Sequence, residues 1–339
     1  MESGTDQLTF DPERRRQAAR ARDDVAGSGA RLKSGTLRAL LRRFAVHGVL
    51  WRNYLDWAVA NVPFYFQPVV IAYWTVFFFF FAAPARRAVV ANLAVVLPGS
   101  SRWINYLRAY RTLMNFAFTI GDAASYKVNR SEFTYEIIGA EPLEQLARAK
   151  GAIVLTAHMG KYDLGAALFA QKFNREIRMV RAPEPDEQSG EHLRDFVRRT
   201  GKGAVKIAYS TFGALLSFDL LGALRRGEIV SIQGDRVMGD VATVEGRMFG
   251  ARVRIPSGPF TLAQIAEAPV YPLFIVRAGH RRYRIIVRDP ILVQRSSADR
   301  EQDIAPAVAQ WCNVLEQIVS ASWHQWFAFA PIFIRDGRA

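Results

Sequence analysis

The chain has 339 residues, half of them apolar, with 45 Lys and Arg against 31 Asp and Glu and a formal net charge of +14. That apolar share excludes a disordered chain, and the length suffices for one large domain or two ordinary ones. The single cysteine, Cys312, excludes an intrachain disulfide framework and a cysteine-based zinc site. The basic excess points to an anionic partner: nucleic acid, an anionic membrane surface, or an acidic or phosphorylated substrate.

Residues 1–35 are polar and arginine-rich, broken by GSG at 27–29, and read as a flexible basic tail with no secretory signal. Residues 36–126 form a helical region. Within it Leu37, Leu40, Leu41 and Phe44 alternate with Arg38, Arg42 and Arg43 at helical spacing, the pattern of a basic amphipathic helix on a membrane surface. The strongest apolar segment follows at about 62–83. Its unbroken stretch from Val69 to Ala83 has Thr75 as its one polar residue and falls short of the ~20 residues of a simple span. Arginines flank both sides, among them Arg52, Arg86, Arg87 and Arg102. A single span would put one basic flank on the wrong face, so a monotopic or re-entrant anchor is expected. A second helical stretch runs from about Trp103 to Tyr126.

From residue 127 to 339 the texture changes to short apolar runs alternating with helical stretches. Strands are expected at 152–158, 177–182, 204–209 and 229–235. Helices are expected at 164–173, 190–201 and 212–227. Further on come a turn and helix in PSGPFTLAQIAEA, strands in PVYPLFIVRA and RRYRIIVRDPILV, and a closing helix. This alternation predicts an α/β fold, a central mainly parallel sheet flanked by helices, behind an N-terminal helical membrane-associating segment. Active sites in such sheets lie beyond the carboxyl ends of strands, where His158 and Asp235 both fall.

Three stretches carry the candidate chemistry. In HMGKYD, 158–163, the imidazole of His158 ends a strand, Gly160 permits a turn, and Asp163 stands where its carboxylate reaches back to one ring nitrogen. A histidine beside an aspartate helix cap explains the same spacing. In IQGDR, Gly234, Asp235 and Arg236 suit a phosphate or polar headgroup, or form a local turn with an Asp–Arg pair. In RVRIPSGP, Arg254 and Ser257 stand before a helix whose first N–H groups suit an anion, or serve as its cap. The chain has no G-x-S-x-G elbow, H-E-x-x-H motif, phosphate loop or dinucleotide fingerprint. A base without an enzyme nucleophile suits a reaction in which the substrate supplies the nucleophile. Aromatics gather in the apolar segment instead of interleaving with basic residues, which weighs against nucleic acid.

The HMGKYD motif between an apolar strand and LGAAL resembles the lipid A biosynthesis acyltransferases, within the wider lysophospholipid and glycerolipid acyltransferase superfamily. RRAVVANLAVVLPGSS (86–101), SIQGDRV, MFGARVRIPSGPFTLAQIAEAPVYPLFIVR and the terminal WHQWFAFAPIF follow in that family's order, over roughly residues 40–335. The resemblance implies acyl transfer from an acyl-carrier protein or coenzyme A thioester to a hydroxyl or amine of a lipid or glycolipid acceptor. His158 would be the general base and Asp163 its orienting partner, with Gly160, Lys161, Gly234, Asp235, Arg236, Arg254 and Ser257 binding substrate. It implies no metal and no cofactor beyond the thioester co-substrate, and a place on the cytoplasmic face of the inner membrane. A thioesterase or lipid hydrolase, in which His158 activates water, and a non-catalytic lipid-binding membrane protein are the alternatives. Asp163 stands where members often carry Glu, which leaves the acceptor open.

Overall fold

A computed structural model describes residues 49–334, apart from 64, 130–132, 162–168, 171–172, 184–189, most of 192–202, 211–212 and 297–298. The expected tail at 1–35, the basic amphipathic start of the helical region at 36–126, and most of the expected helices at 164–173 and 190–201 lie outside these. The chain divides between Leu50 and Trp51 into two units, and the second, Trp51–Ala339, contains the sheet.

Among the described residues four helices come first: α1 (Val49–Asn61), α2 (Gln67–Phe81), α3 (Ala83–Val96) and α4 (Arg102–Asn129). Then follow β1 (Thr134–Ile138), α5 (Ala140–Arg148), β2 (Ala152–Thr156), β3 (Ile177–Arg181), β4 (Val205–Tyr209), α6 (Gly213–Arg225) and β5 (Ile229–Gln233). The chain ends with β6 (Thr243–Met248), β7 (Ala251–Pro256), α7 (Gly258–Ala266), β8 (Val270–Gly279), β9 (Arg282–Val287) and α8 (Arg300–Ser322). Seven strands make one sheet in the order β1-β9-β8-β2-β5-β3-β4. All neighbours are parallel except β8 and β9, which are antiparallel. The fold is α/β.

All five residues of β2 are buried, as a central strand covered on both faces requires. Alternation along β2 and β5 divides the core into two layers. Ile153, Leu155 and Val230 pack in one layer with Trp311, Leu315 and Val319 of α8, Phe260 of α7 and Val253 and Ile255 of β7. Ala152, Val154 and Ile229 pack in the other with Leu143 and Leu146 of α5. The stretch RVRIP, read from sequence only as a basic approach to a turn, is one arm of a β6–β7 hairpin. Its two-residue turn, Phe249–Gly250, has φ +52° and +74°, the paired left-handed conformation that matches strand twist.

No single helix among the described residues is long and apolar enough to cross a membrane, but α2 and α3 together reach the length with a 92° bend between them. Pro84 in the first turn of α3 explains the break, because its ring cannot continue α2. Along α2, Val69, Tyr73, Val76, Phe77, Phe80 and Phe81 are exposed, and the same is true of Trp103, Ile104 and Leu107 at the start of α4. The inner sides of α3 and α4 meet through Val89, Leu93 and Ala109. Helix α4 is tied to the sheet by buried Asp122, whose Oδ2 accepts from Arg277 Nε at 2.9 Å and from the Tyr283 hydroxyl at 2.8 Å.

Candidate active site

Strands β2 and β5 lie side by side and parallel, with Thr156 opposite Gln233. Two residues beyond that pair, both chains leave the sheet at its carboxyl edge, which brings His158 abreast of Asp235. Nδ1 of His158 and Oδ1 of Asp235 are 2.7 Å apart. Oδ2 of Asp235 accepts from the His158 backbone N–H at 3.1 Å and from Trp326 Nε1 at 2.9 Å. The carboxylate is completely buried, whereas the histidine side chain keeps 15% of its surface exposed. Burial by itself raises the Asp235 pKa. The charge and hydrogen bond of His158, the charge of Arg236 and the Trp326 N–H outweigh it and hold the carboxyl at about 2. An ionised carboxylate only accepts, so the neutral imidazole carries its proton on Nδ1 and leaves Nε2 as a base.

The end of the chain forms one wall of this site. Met159 and Trp326 make an antiparallel bridge, and the Phe327 N–H donates to the His158 carbonyl at 2.8 Å. Gln325 pairs with the backbone of β8 through both ends of its amide. Its Oε1 accepts from the Arg277 N–H at 2.6 Å, and its Nε2 donates to the Arg277 carbonyl at 2.8 Å. Buried Asn92 of α3 holds the following segment by three bonds: Nδ2 to the carbonyls of Ala328 and Ala330, and Oδ1 from the Ile332 N–H. Trp311 Nε1 donates to the Gly234 carbonyl at 3.0 Å from beneath.

The family model of the bacterial lipid A biosynthesis acyltransferases matches residues 41–335. The chain belongs to that family. It is therefore an acyltransferase, and membership implies an acyl donor and a lipid acceptor. A search of curated proteins gave no match. The matched span holds His158, Asp235, the 323–333 segment and the Asn92 that tethers it.

Within this lipid A-type acyltransferase, the residues expected from sequence fall in different places. His158 stands at the sheet edge as expected, and Asp163 lies outside the described residues. Asp235, expected to bind substrate, is instead fully buried and bonded to His158, because adjacent parallel strands carry the two into register. Arg236 is partly buried, with Nη1 3.4 Å from the Phe327 carbonyl, and its Nε is buried with no partner among the described residues. Gly160 has φ +50°, and a Cβ there would stand 1.7 Å from the Ile275 carbonyl oxygen, so close packing on β8 demands glycine. A Cβ at Gly234 would stand 2.6 Å from Leu155 Cδ1. Lys161 follows Gly160 in the turn and is partly buried. Arg254 is exposed on the hairpin and Ser257 is buried at the start of α7. No hydrogen bond among the described residues joins either to His158, Asp235 or Trp326. Trp326, Gln325, Trp311 and Asn92 are the residues that reading by local spacing missed. WHQWF and the Asn of VANL carried the family resemblance, but nothing local in them tells which side chain they meet.

Proposed function

We propose that this acyltransferase moves a fatty acyl chain from an acyl-carrier protein or coenzyme A thioester to a hydroxyl or amine of a membrane-associated lipid, with His158 as general base and Asp235 as its orienting partner. The 2.7 Å bond between His158 Nδ1 and a buried carboxylate at the carboxyl edge of the sheet carries the reading. The acceptor's proton passes to Nε2 as its oxygen or nitrogen bonds to the thioester carbonyl carbon. Collapse of the tetrahedral oxyanion breaks the C–S bond, and the same proton goes to the departing sulfur. The ionised Asp235 stabilises the intervening imidazolium and fixes the ring's orientation. Arg236, next to Asp235 in the chain and acting on its charge, is a cation suited to the oxyanion. In this scheme Asp235 takes the orienting role that the resemblance gave to Asp163, which lies outside the described residues.

The exposed aromatic face of α2 and the exposed apolar start of α4 support attachment to a bilayer surface, with Arg86, Arg87 and Arg102 close by for anionic headgroups. The test supplies purified protein with a labelled long-chain acyl thioester, with and without bacterial membrane lipid. Label in a lipid product is the expected result, and free fatty acid alone points to hydrolysis. His158→Ala and Asp235→Asn are expected to lower transfer about 10²–10⁴-fold. Full activity in His158→Ala sinks the mechanism, and full activity in Asp235→Asn removes Asp235 from it.

A further inference from the structure

Two arginines of α4 converge on one indole outside the catalytic pair. The guanidinium carbons of Arg108 and Arg111 lie 5.8 Å and 5.5 Å from the centre of the Trp323 ring. Arg108 is further fixed by donating to Ser100 Oγ and to Asn105 Oδ1. Neither guanidinium meets an acidic partner among the described residues, although arginines elsewhere in this protein are paired with carboxylates, such as Arg178 with Glu228 and Arg284 with Glu136. His324, next to Trp323, contributes no negative charge, and burial together with Arg111 holds its pKa below the ordinary imidazole range. The cluster therefore carries two positive charges, neither of them in an ion pair among the described residues. The two bonds of Arg108 both leave from Nη1, so its Nε–Nη2 edge and the guanidinium of Arg111 remain for a phosphate oxygen pair.

Its surroundings narrow the ligand. Leu107 and Ile104, one and two turns before Arg111 on the same side of α4, are exposed and apolar. A cationic patch continuing an apolar stripe fits an amphiphile whose phosphate sits at the arginines and whose chain runs along the stripe. The patch is also close to the chemistry. Phe116, five residues on from Arg111 and so about 7.5 Å along the helix, has its ring centre 5.1 Å from that of Phe327. The Phe327 N–H is bonded to the His158 carbonyl.

We propose that Arg108 and Arg111, mounted on Trp323, form a subsite that reads a phosphate group on the headgroup of the acceptor lipid. The assignment of that lipid as acceptor rests on the acyl-transfer reading above; the binding site itself does not. Binding is therefore measured on full-length His158→Ala protein, where no turnover intrudes, by titration calorimetry. The probes are dihexanoyl phosphatidate below its micelle concentration, the neutral dihexanoylglycerol, and inorganic phosphate. The expected result is a preference of about tenfold or more for phosphatidate over both other probes. Adding Arg111→Gln is expected to remove about tenfold of the phosphatidate affinity with little effect on the diacylglycerol. Adding Arg225→Gln, which removes an equal charge from an exposed position at the end of α6, is expected to leave the affinity unchanged. Arg111→Lys keeps the charge without the planar fork and serves if Arg111→Gln unfolds; it is expected to bind phosphatidate more weakly than the arginine form. Equal binding of phosphatidate and diacylglycerol overturns the proposal, as does an equal loss in the Arg111 and Arg225 variants or full affinity in Arg111→Lys. Inorganic phosphate binding as tightly as phosphatidate overturns the lipid assignment. A phosphatidate preference in His158→Ala alongside a wild-type protein that transfers no acyl group would leave the subsite standing and defeat the proposed reaction instead.

Discussion

The indole N–H of Trp326 donates to Asp235 Oδ2 at 2.9 Å, so a residue 91 positions away in the chain steadies the carboxylate that holds His158. Oδ2 also takes the His158 backbone N–H, and Oδ1 is left for the ring. Trp326→Phe removes the donor while keeping an aromatic ring in the wall. A hydrogen bond to a charged group contributes about 1.5–3 kcal/mol. The variant is expected to lose roughly tenfold in kcat with KM for the thioester unchanged, read by steady-state kinetics on folded protein. A change confined to KM would place Trp326 in substrate binding instead.

Acid stability follows from the same carboxylate. Its pKa is held at about 2 against an ordinary 3.8. A group whose folded-state pKa is depressed stabilises the fold above its unfolded pKa, and that contribution disappears as pH falls through the folded value. Between about pH 4 and 2 the native protein is expected to lose about 2 kcal/mol from this source. Urea unfolding at a series of pH values checks it. The Asp235→Asn curve should be flatter than wild type across this window, and parallel curves would show that other carboxylates dominate.

Asn92 reaches the chain end through three hydrogen bonds in a buried setting. Asn92→Ala leaves two carbonyls and one N–H of the 328–332 segment without that partner. At about 1 kcal/mol for each bond, a loss of roughly 2–4 kcal/mol in unfolding free energy is expected. Activity should fall as well, because that segment continues directly from Trp326 and Phe327, which lie against Asp235 and His158. Differential scanning calorimetry paired with the transfer assay reads both effects, and an unchanged Tm would discount the tether.

The aromatic face of α2 should control attachment to membranes. Phe77, Phe80 and Phe81 are exposed, and each would contribute roughly 1.5–3 kcal/mol on burial in an apolar phase. Replacing all three with Ser is expected to move the protein from membrane pellet to supernatant in a fractionation. A high-salt wash should release little of the wild type. Release of the wild type by salt alone would make the attachment electrostatic.

Much of the framework can be read from the sequence through local periodicity. The runs that became β2, β3, β4 and β5 are short, apolar and separated by helix-length stretches, and α4 follows its own apolar spacing. His158 and Asp235 could both be located at strand ends by that means. The β6–β7 hairpin was not seen, because Phe249 occupies a left-handed turn position where Asn or Gly would have signalled one. The residues of β1 do not show a strand pattern either. β1 is an edge strand, its residues mostly exposed, so neither an apolar run nor strict alternation marks it.

What the sequence by itself determined is the α/β order, the strand-end location of the histidine, the apolar segment that cannot run straight for a membrane's width, and the family resemblance. The identity of the carboxylate that meets His158 was decided only by the tertiary structure. Asp163 is five residues away and Asp235 is 77, and local spacing favours the nearer one. Sheet order overrides it, because β2 and β5 are neighbours only through a non-local pairing that no periodicity encodes. The same holds for Trp326 and Asn92, whose partners lie across the whole chain. Strand and helix patterns come from contacts within a few residues, but this site is built where the ends of distant segments are packed together.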